Sequence, residues 1–150
     1  MLLNSLTCAS VRAPLPAFVI ALCREFGEYL GYCFQIKDDI FDYFKEANIG
    51  KPTGNDIREG KVTLPLLYAL RQGREEEAAR YLDMILRKDF AAENVDSLIE
   101  FAKANGGIEY AEARMKEYHD KAVDVLLRLP ESGARTSLIQ LADYIMTRSK

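Results

Sequence analysis

Apolar residues recur every three or four positions along almost the whole chain, and this period constrains the fold more than any other feature. Residues with this spacing share one face of an α-helix, whereas a half-buried strand alternates apolar and polar residues. Strand-like alternation around tight Asn-Gly or Asp-Gly turns is missing. The sequence therefore predicts an all-α protein of about six or seven helices joined by short loops.

Proline and glycine residues divide this periodic sequence into separate predicted helices. A short first helix starts at Leu2 and ends at the Pro14/Pro16 pair. One extended polar segment, residues 47–63, contains three glycines and a proline and is predicted to be a loop. The other predicted helices are Leu15 to about Phe44, one capped by Thr63, Glu75 to Lys88, Asn94 to Ala104, Ile108 to Leu129, and Ser132 to Arg148.

Charge, hydropathy and cysteine content exclude several classes of protein. The net charge of −3 argues against a nucleic-acid-binding surface, which would be basic. The longest apolar stretch, Ala13 to Cys23, is about half a membrane span and contains two prolines, so we expect no membrane span and no signal peptide. Cys8, Cys23 and Cys33 form no C-x-x-C pair, which favours reduced, mostly buried thiols in a cytoplasmic protein.

Three aspartates stand close together in the run F-Q-I-K-D-D-I-F-D-Y. On a helix Asp38 and Asp42 share a face, and Asp39 lies three residues before Asp42. Neighbouring like charges destabilise each other unless a cation neutralises them, and Mg²⁺ accepts one or two carboxylates with water and phosphate. Taken alone, the aspartates fit a magnesium site and a surface turn carrying three acids about equally well.

The loop that follows these aspartates is rich in glycine and positive charge. Lys51 lies in G-K-P-T-G, and Arg58 and Lys61 follow within ten residues. Glycines let a backbone approach a phosphate closely, and lysines act as point charges on it. Because Pro52 follows Lys51, the loop is not a P-loop. Together the carboxylates and the loop indicate a metal-bridged diphosphate or polyphosphate ligand, while Arg58 is better explained as part of a solvated connector.

Two runs, G-E-Y-L-G-Y-C-F-Q-I-K-D-D-I-F-D-Y and G-K-P-T-G-N-D-I-R-E-G-K-V-T-L-P-L-L-Y-A-L, resemble the second aspartate-rich region of trans-type polyprenyl diphosphate synthases. This family includes farnesyl, geranylgeranyl and octaprenyl diphosphate synthases. The resemblance is dense over residues 26–70 and looser elsewhere. It implies that residues 1–150 are one partial domain, the C-terminal half of the family's helical bundle. The second aspartate-rich motif would be residues 38–42, followed by a lysine loop at residues 47–63.

The resemblance also implies roles for the charged residues of these two runs. Asp38 would ligate a Mg²⁺ ion bound to the allylic diphosphate. Asp39 and Asp42 would belong to the same metal site, supporting it through waters or hydrogen bonds. Lys51 would contact the diphosphate directly, and Lys61 would lie near it. These residues are the predicted catalytic, metal-binding and diphosphate-binding set.

The predicted hydrocarbon-binding residues are Phe34 and Gln35, which match the Phe-Gln pair that faces the reacting prenyl chain in this family. The implied reaction is the Mg²⁺-dependent condensation of isopentenyl diphosphate with an allylic prenyl diphosphate. Physically, cations would stabilise the departing diphosphate, and an apolar cavity with aromatic faces would protect the carbocation.

The sequence departs from the family in containing a single D-D-x-x-D motif where complete synthases have two. Basic residues that would bind isopentenyl diphosphate upstream are also missing. We therefore expect a truncated chain, a gene fragment or one half of a split assembly, with weak or no synthase activity alone. Helices without their usual neighbours would expose apolar faces, which predicts a homo-oligomer or a covering partner chain.

Two alternatives to a synthase segment remain open at the level of sequence. One is a catalytically inactive prenyltransferase-like subunit that acts as a helical binding partner of an active chain. The other is a helical interaction domain with an incidental acidic cluster. Mg²⁺-dependent diphosphate binding separates the last alternative from the other two.

Overall fold

The computed structural model describes residues 16–44 and 53–149, and every helix assigned within these ranges is an α-helix. These residues contain no strand, so the all-α prediction is confirmed. The predicted first helix from Leu2 lies outside the described residues. The helices are α1 (Ala17–Phe41), α2 (Asn55–Arg58), α3 (Leu64–Gln72), α4 (Glu75–Leu86), α5 (Ala92–Ala104), α6 (Gly107–Leu127) and α7 (Gly133–Thr147). Of the helices in this part of the chain, none is both long and apolar enough to cross a bilayer.

The predicted loop at residues 47–63 contains a helix that the periodicity did not predict, the single-turn α2. The next helix, α3, starts as predicted after Thr63, with Pro65 in its first turn where a missing N–H costs nothing. The Thr63 side chain makes no capping hydrogen bond there. Its hydroxyl instead lies 2.8 Å from the hydroxyl of Tyr43, so this residue joins α3 to the segment that follows α1.

The chain divides into two compact units, and the first comprises Arg114–Ser149 with the described residues up to Lys37. Buried residues at helical spacing line α1 in this unit, and the Cys33 thiol lies 3.4 Å from the carbonyl oxygen of Met115 on α6. The Lys37 ammonium donates a 2.9 Å hydrogen bond to the carbonyl of Met146 near the end of α7. The buried apolar residues of this unit are Leu22, Phe26, Leu30, Cys33, Ile36, Met115, Ala122, Val125, Leu126, Ala142 and Ile145.

The second unit, Asp38–Ala113, is built around α5, which packs against α3. The Tyr81 ring of α4 lies 4.4 Å from the Phe101 ring of α5, measured between centroids. Gly107 permits a close approach of α6 to α3, because a Cβ there would lie 2.3 Å from the Pro65 carbonyl oxygen. The buried apolar side chains of α5 are Val95, Leu98, Ile99, Phe101 and Ala102.

Candidate functional site

The three predicted metal-binding aspartates lie at and just beyond the C-terminal end of α1. Asp38 and Asp39 occupy the last turn of the helix and are half-buried. The helix ends at Phe41, about three residues before the predicted end, so Asp42 lies in the following turn. There its N–H donates to the Asp39 carbonyl at 3.3 Å, an i to i+3 bond of the kind that tightens helix ends.

The carboxylate of Asp42 is engaged by the backbone of α2. One oxygen accepts the N–H of Asn55 at 3.0 Å, and the other accepts the N–H of Asp56 at 2.9 Å. The carbonyl of Asp42 accepts the N–H of Gly54 at 2.9 Å. Only 8% of the residue is exposed. Asp42 thus satisfies N–H groups at the start of a helix that would otherwise have no partner, from thirteen and fourteen residues away in sequence.

Gly54 allows the chain to enter α2 close to α5. Its φ of +75° lies in the left-handed region that favours glycine. A Cβ at this position would lie 2.4 Å from Cγ1 of Val95 and 3.1 Å from Cδ1 of Ile99. The residue is therefore fixed as glycine both by its backbone conformation and by the lack of space.

Tyr43 supplies a second connection, at the other end of residues 53–63. Its ring is 2% exposed, and its hydroxyl forms the 2.8 Å hydrogen bond with Thr63. Burial raises the pKa of Tyr43 to about 12, so the phenol remains neutral in the physiological range. Asp42 and Tyr43 therefore hold the start and the end of the 53–63 segment against the C-terminal end of α1.

Lys61 is the predicted diphosphate-binding lysine that lies within the described residues. Its ammonium is 2.7 Å from a carboxylate oxygen of Glu59 and 3.0 Å from one of Asp56, and the side chain is 59% exposed. The hydrogen bond with Glu59, and then that with Asp56, raises the pKa of Lys61, which keeps it a cation. Lys51 lies outside the described residues, so its predicted contact stays a prediction.

The predicted hydrocarbon-binding residues, Phe34 and Gln35, belong to the first unit, so they are described separately from the aspartates of the second. Both side chains are exposed, with Phe34 at 36%. The guanidinium of Arg148 lies 4.3 Å from the centroid of the Phe34 ring, a cation–π geometry. This contact could not be anticipated from the sequence, since no local pattern links residues so far apart.

The aspartate carboxylates of the second unit fit a magnesium ion whose other ligands are water and phosphate oxygens. Across the described ranges no three His, Cys, Asp or Glu side chains gather as a metal-binding group. Mg²⁺ does not require such a group, because it is commonly held by one or two carboxylates with water and substrate phosphates. Asp38 and Asp39 are carboxylates of the required kind. Their ligation of a metal, like that of Asp42, stays a prediction.

The fold and the site together define a class of protein. In this class, an all-α chain connects an aspartate-rich helix end to a segment that carries a lysine. The family model described as "Polyprenyl synthetase" matches residues 1–102, and the chain belongs to this family. It is 39% identical over 127 residues to the octaprenyl diphosphate synthase of Haemophilus influenzae, a match that covers 84% of this chain and 38% of that protein.

Solved structures agree with this assignment. The geranylgeranyl pyrophosphate synthase of Bacteroides thetaiotaomicron is 44% identical with a TM-score of 0.82, covering 90% of this chain and 44% of that one. A polyprenyl synthase from Caulobacter crescentus, complexed with calcium and isoprenyl diphosphate, is 31% identical with a TM-score of 0.79, covering 89% and 41%. The chain thus spans less than half the length of each of these three relatives.

Proposed function

We propose that this chain supplies the magnesium–diphosphate half of a polyprenyl diphosphate synthase active site. The complete reaction would be the condensation of isopentenyl diphosphate with an allylic prenyl diphosphate. The observation that carries this proposal is the connection of an aspartate-rich helix end to a segment bearing the cationic Lys61. Family membership supports the reaction class, and the calcium and isoprenyl diphosphate named for the Caulobacter relative support a divalent cation and a prenyl diphosphate as ligands.

The charged residues would share the task of holding the diphosphate. Asp38 and Asp39 would hold Mg²⁺, which would neutralise negative charge on the departing diphosphate. Lys61 would add a positive charge after exchanging its exposed carboxylate partners, Asp56 and Glu59, for phosphate oxygens. Little stability is lost in this exchange, since ion pairs between solvent-exposed side chains are screened by water and contribute little. Lys51 is proposed as a direct diphosphate contact on the basis of the resemblance.

Phe34 and Gln35 are proposed to face the prenyl chain and the allylic cation. The exposed Phe34 ring offers a π face, which attracts cations electrostatically. The Arg148 guanidinium at 4.3 Å already uses this property of the ring. An apolar environment around the ring would protect a carbocation from water.

The rest of the active site is proposed to come from residues beyond this chain, which spans 38% of its octaprenyl synthase relative. We expect weak or no synthase activity from this chain alone, and a homo-oligomer or a partner chain that covers its exposed apolar residues. A cytoplasmic location is also proposed. An inactive subunit that supports a second prenyltransferase remains the alternative, and activity measurements separate the two.

The experiment uses labelled isopentenyl diphosphate, farnesyl diphosphate and Mg²⁺, with product extracted and counted. We expect little product from the chain alone. A chimera, in which this chain replaces the aligned part of the Bacteroides enzyme, should form product, and its Asp38→Asn variant should not. A folded chimera without activity would favour the inactive subunit, whereas an active Asp38→Asn chimera would contradict the role of Asp38.

A further inference from the structure

The carboxylate of Asp42 is buried and already accepts hydrogen bonds on both of its oxygens. Each carboxylate oxygen accepts one N–H of α2, from Asn55 and from Asp56, and the residue is 8% exposed. Hydrogen bonds to a charged acceptor are roughly twice as strong as neutral ones, so displacing them is costly. A Mg²⁺ ion usually keeps several of its waters, and a residue that is only 8% exposed offers little room for that hydration shell.

A continuous series of contacts leads from this carboxylate to Lys61. Asp42 binds the N–H of Asp56, and the Asp56 carboxylate binds the Lys61 ammonium at 3.0 Å. The Lys61 N–H in turn donates to the Asp56 carbonyl at 2.8 Å. Asp56 therefore links the two residues through its backbone and its side chain. Movement of α2 away from Asp42 would move the ammonium of Lys61 with it.

We propose that Asp42 is a positioning residue, which fixes α2 and thereby Lys61, and that it does not ligate magnesium. The inference rests on the proposed function for what Lys61 binds, but the contact itself does not depend on it. It separates the three aspartates into two tasks, with Asp38 and Asp39 as the proposed cation ligands and Asp42 fixing the segment that follows.

The first test measures amide hydrogen exchange by NMR at Asn55 and Asp56 in the unaltered chain. If Asp42 positions α2, both amides remain protected when Mg²⁺ and inorganic pyrophosphate are added. If Asp42 turns to the metal, these amides lose their acceptor and exchange faster, which overturns the proposal. Because this comparison needs no substitution, it does not depend on whether a variant folds.

The second test compares Asp42→Asn with the matched variant Asp38→Asn. An asparagine keeps one acceptor oxygen but places an amide NH₂ against a backbone N–H. In Asp42→Asn at least one of the amides of Asn55 and Asp56 should therefore lose its acceptor and exchange about tenfold faster or more, whereas Asp38→Asn should leave both protected. Unchanged exchange in Asp42→Asn would overturn the proposal.

Pyrophosphate binding then separates positioning from metal ligation. At saturating Mg²⁺, Asp42→Asn should weaken pyrophosphate binding several-fold. The Mg²⁺ concentration that gives half-maximal binding should stay within about twofold of its value in the unaltered chain. Asp38→Asn should lose the Mg²⁺ dependence. In a double-variant cycle, Asp42→Asn should add little to Lys61→Met, because the first acts through the second. Loss of the Mg²⁺ dependence in Asp42→Asn, as in Asp38→Asn, or fully additive losses in the cycle would contradict positioning.

The two proposals fail in different ways. If the unaltered chain binds no pyrophosphate with Mg²⁺, the proposed function fails, while the exchange rates of Asn55 and Asp56 in Asp42→Asn still decide whether Asp42 holds α2.

Discussion

At the scale of single residues, Gly54 is the position in the candidate site least able to accept a side chain. Its φ is +75°, and a Cβ would lie 2.4 Å from Cγ1 of Val95. We expect Gly54→Ala to lower the free energy of unfolding by about 2–4 kcal/mol, combining left-handed strain with overpacking. Urea denaturation followed by circular dichroism measures this change.

Gly31 is the matched control for that substitution. It lies inside α1, and a Cβ there would meet nothing within 4 Å. Gly31→Ala should therefore raise the free energy of unfolding by about 0.5–1 kcal/mol, because alanine loses less backbone entropy in a helix. Equal effects of the same sign at both positions would contradict the assigned conformation of Gly54.

The two described cysteines should differ sharply in reactivity. Burial raises the pKa of Cys33 from 9.0 to about 11, whereas Cys23 is partly exposed. Only the thiolate reacts, so at pH 8 we expect iodoacetamide to modify Cys23 and spare Cys33 in the folded chain. Mass spectrometry of peptides identifies the modified residue, and denatured chain, where both thiols should react, is the control. Equal labelling of the two in the folded chain would show that Cys33 is not buried.

The raised pKa of Cys33 also predicts how the stability of the folded chain changes at alkaline pH. Because the pKa of the Cys33 thiol is higher in the folded chain than its ordinary value of 9.0, its contribution to stability is fully present below pH 9. That contribution is lost as the pH rises from 9 toward about 11. The denaturation midpoint should fall over this pH window, and it should fall less in Cys33→Ala. A difference between the midpoints of the two chains at neutral pH would report the packing lost with the thiol. A midpoint that falls equally in both chains would assign the loss to other groups.

Some of the site could be predicted from sequence at this scale, and some could not. The helical pattern correctly predicts Asp38 and Asp39 within α1, but it continues the helix to about Phe44, so neither their place on the last turn nor the exclusion of Asp42 from the helix could be predicted. The partners of Asp42 lie thirteen and fourteen residues away, and the partner of Tyr43 lies twenty away. Hydrogen bonds across a turn-rich segment depend on its tertiary path, which no local pattern encodes.

At the scale of elements, α5 provides much of the buried surface of the second unit. Leu98 is 0% exposed, whereas Leu86 at the end of α4 is 72% exposed. We expect Leu98→Ala to lower the free energy of unfolding by about 2–5 kcal/mol, because it removes buried methyl groups and leaves a cavity. The same change at Leu86 should cost no more than about 0.5 kcal/mol. Chemical denaturation of the two variants checks this pair, and similar losses would mean that α5 is not central to packing.

Helical periodicity was a good guide to the longer elements. It predicted α4 from Glu75 and α5 to Ala104, and both boundaries are observed. It failed for α2, because a four-residue helix between glycines has too few residues to display a period. It also extended α1 past Phe41, because Tyr43 and Phe44 continue the apolar pattern after the helical hydrogen bonding has ended.

At the scale of the whole molecule, large apolar side chains remain exposed in both units. Phe18 is 60% exposed, Tyr144 62% and Leu86 72%. Since exposed apolar surface favours association, we expect sedimentation velocity to show species larger than the monomer, in proportions that rise with concentration. A single monomeric boundary at every concentration would contradict this expectation.

The family could be predicted from the sequence because its motif is dense and local, covering residues 34–61 with aspartates, glycines and lysines at fixed spacing. The match to residues 1–102 confirms that assignment. Residue roles that depend on contacts between distant segments could not be predicted in this way. The contact of Arg148 with Phe34, for example, joins the end of α7 to α1 across more than a hundred residues of sequence.

The most direct test of the central claim is a calorimetric titration of farnesyl diphosphate into the chain, with and without Mg²⁺. We predict binding that requires Mg²⁺, falls by about 100-fold or more in Asp38→Asn, and survives in Asp96→Asn, which removes an exposed acid of α5. Binding that is indifferent to Mg²⁺ and equal in both variants would contradict a magnesium–diphosphate site at the end of α1.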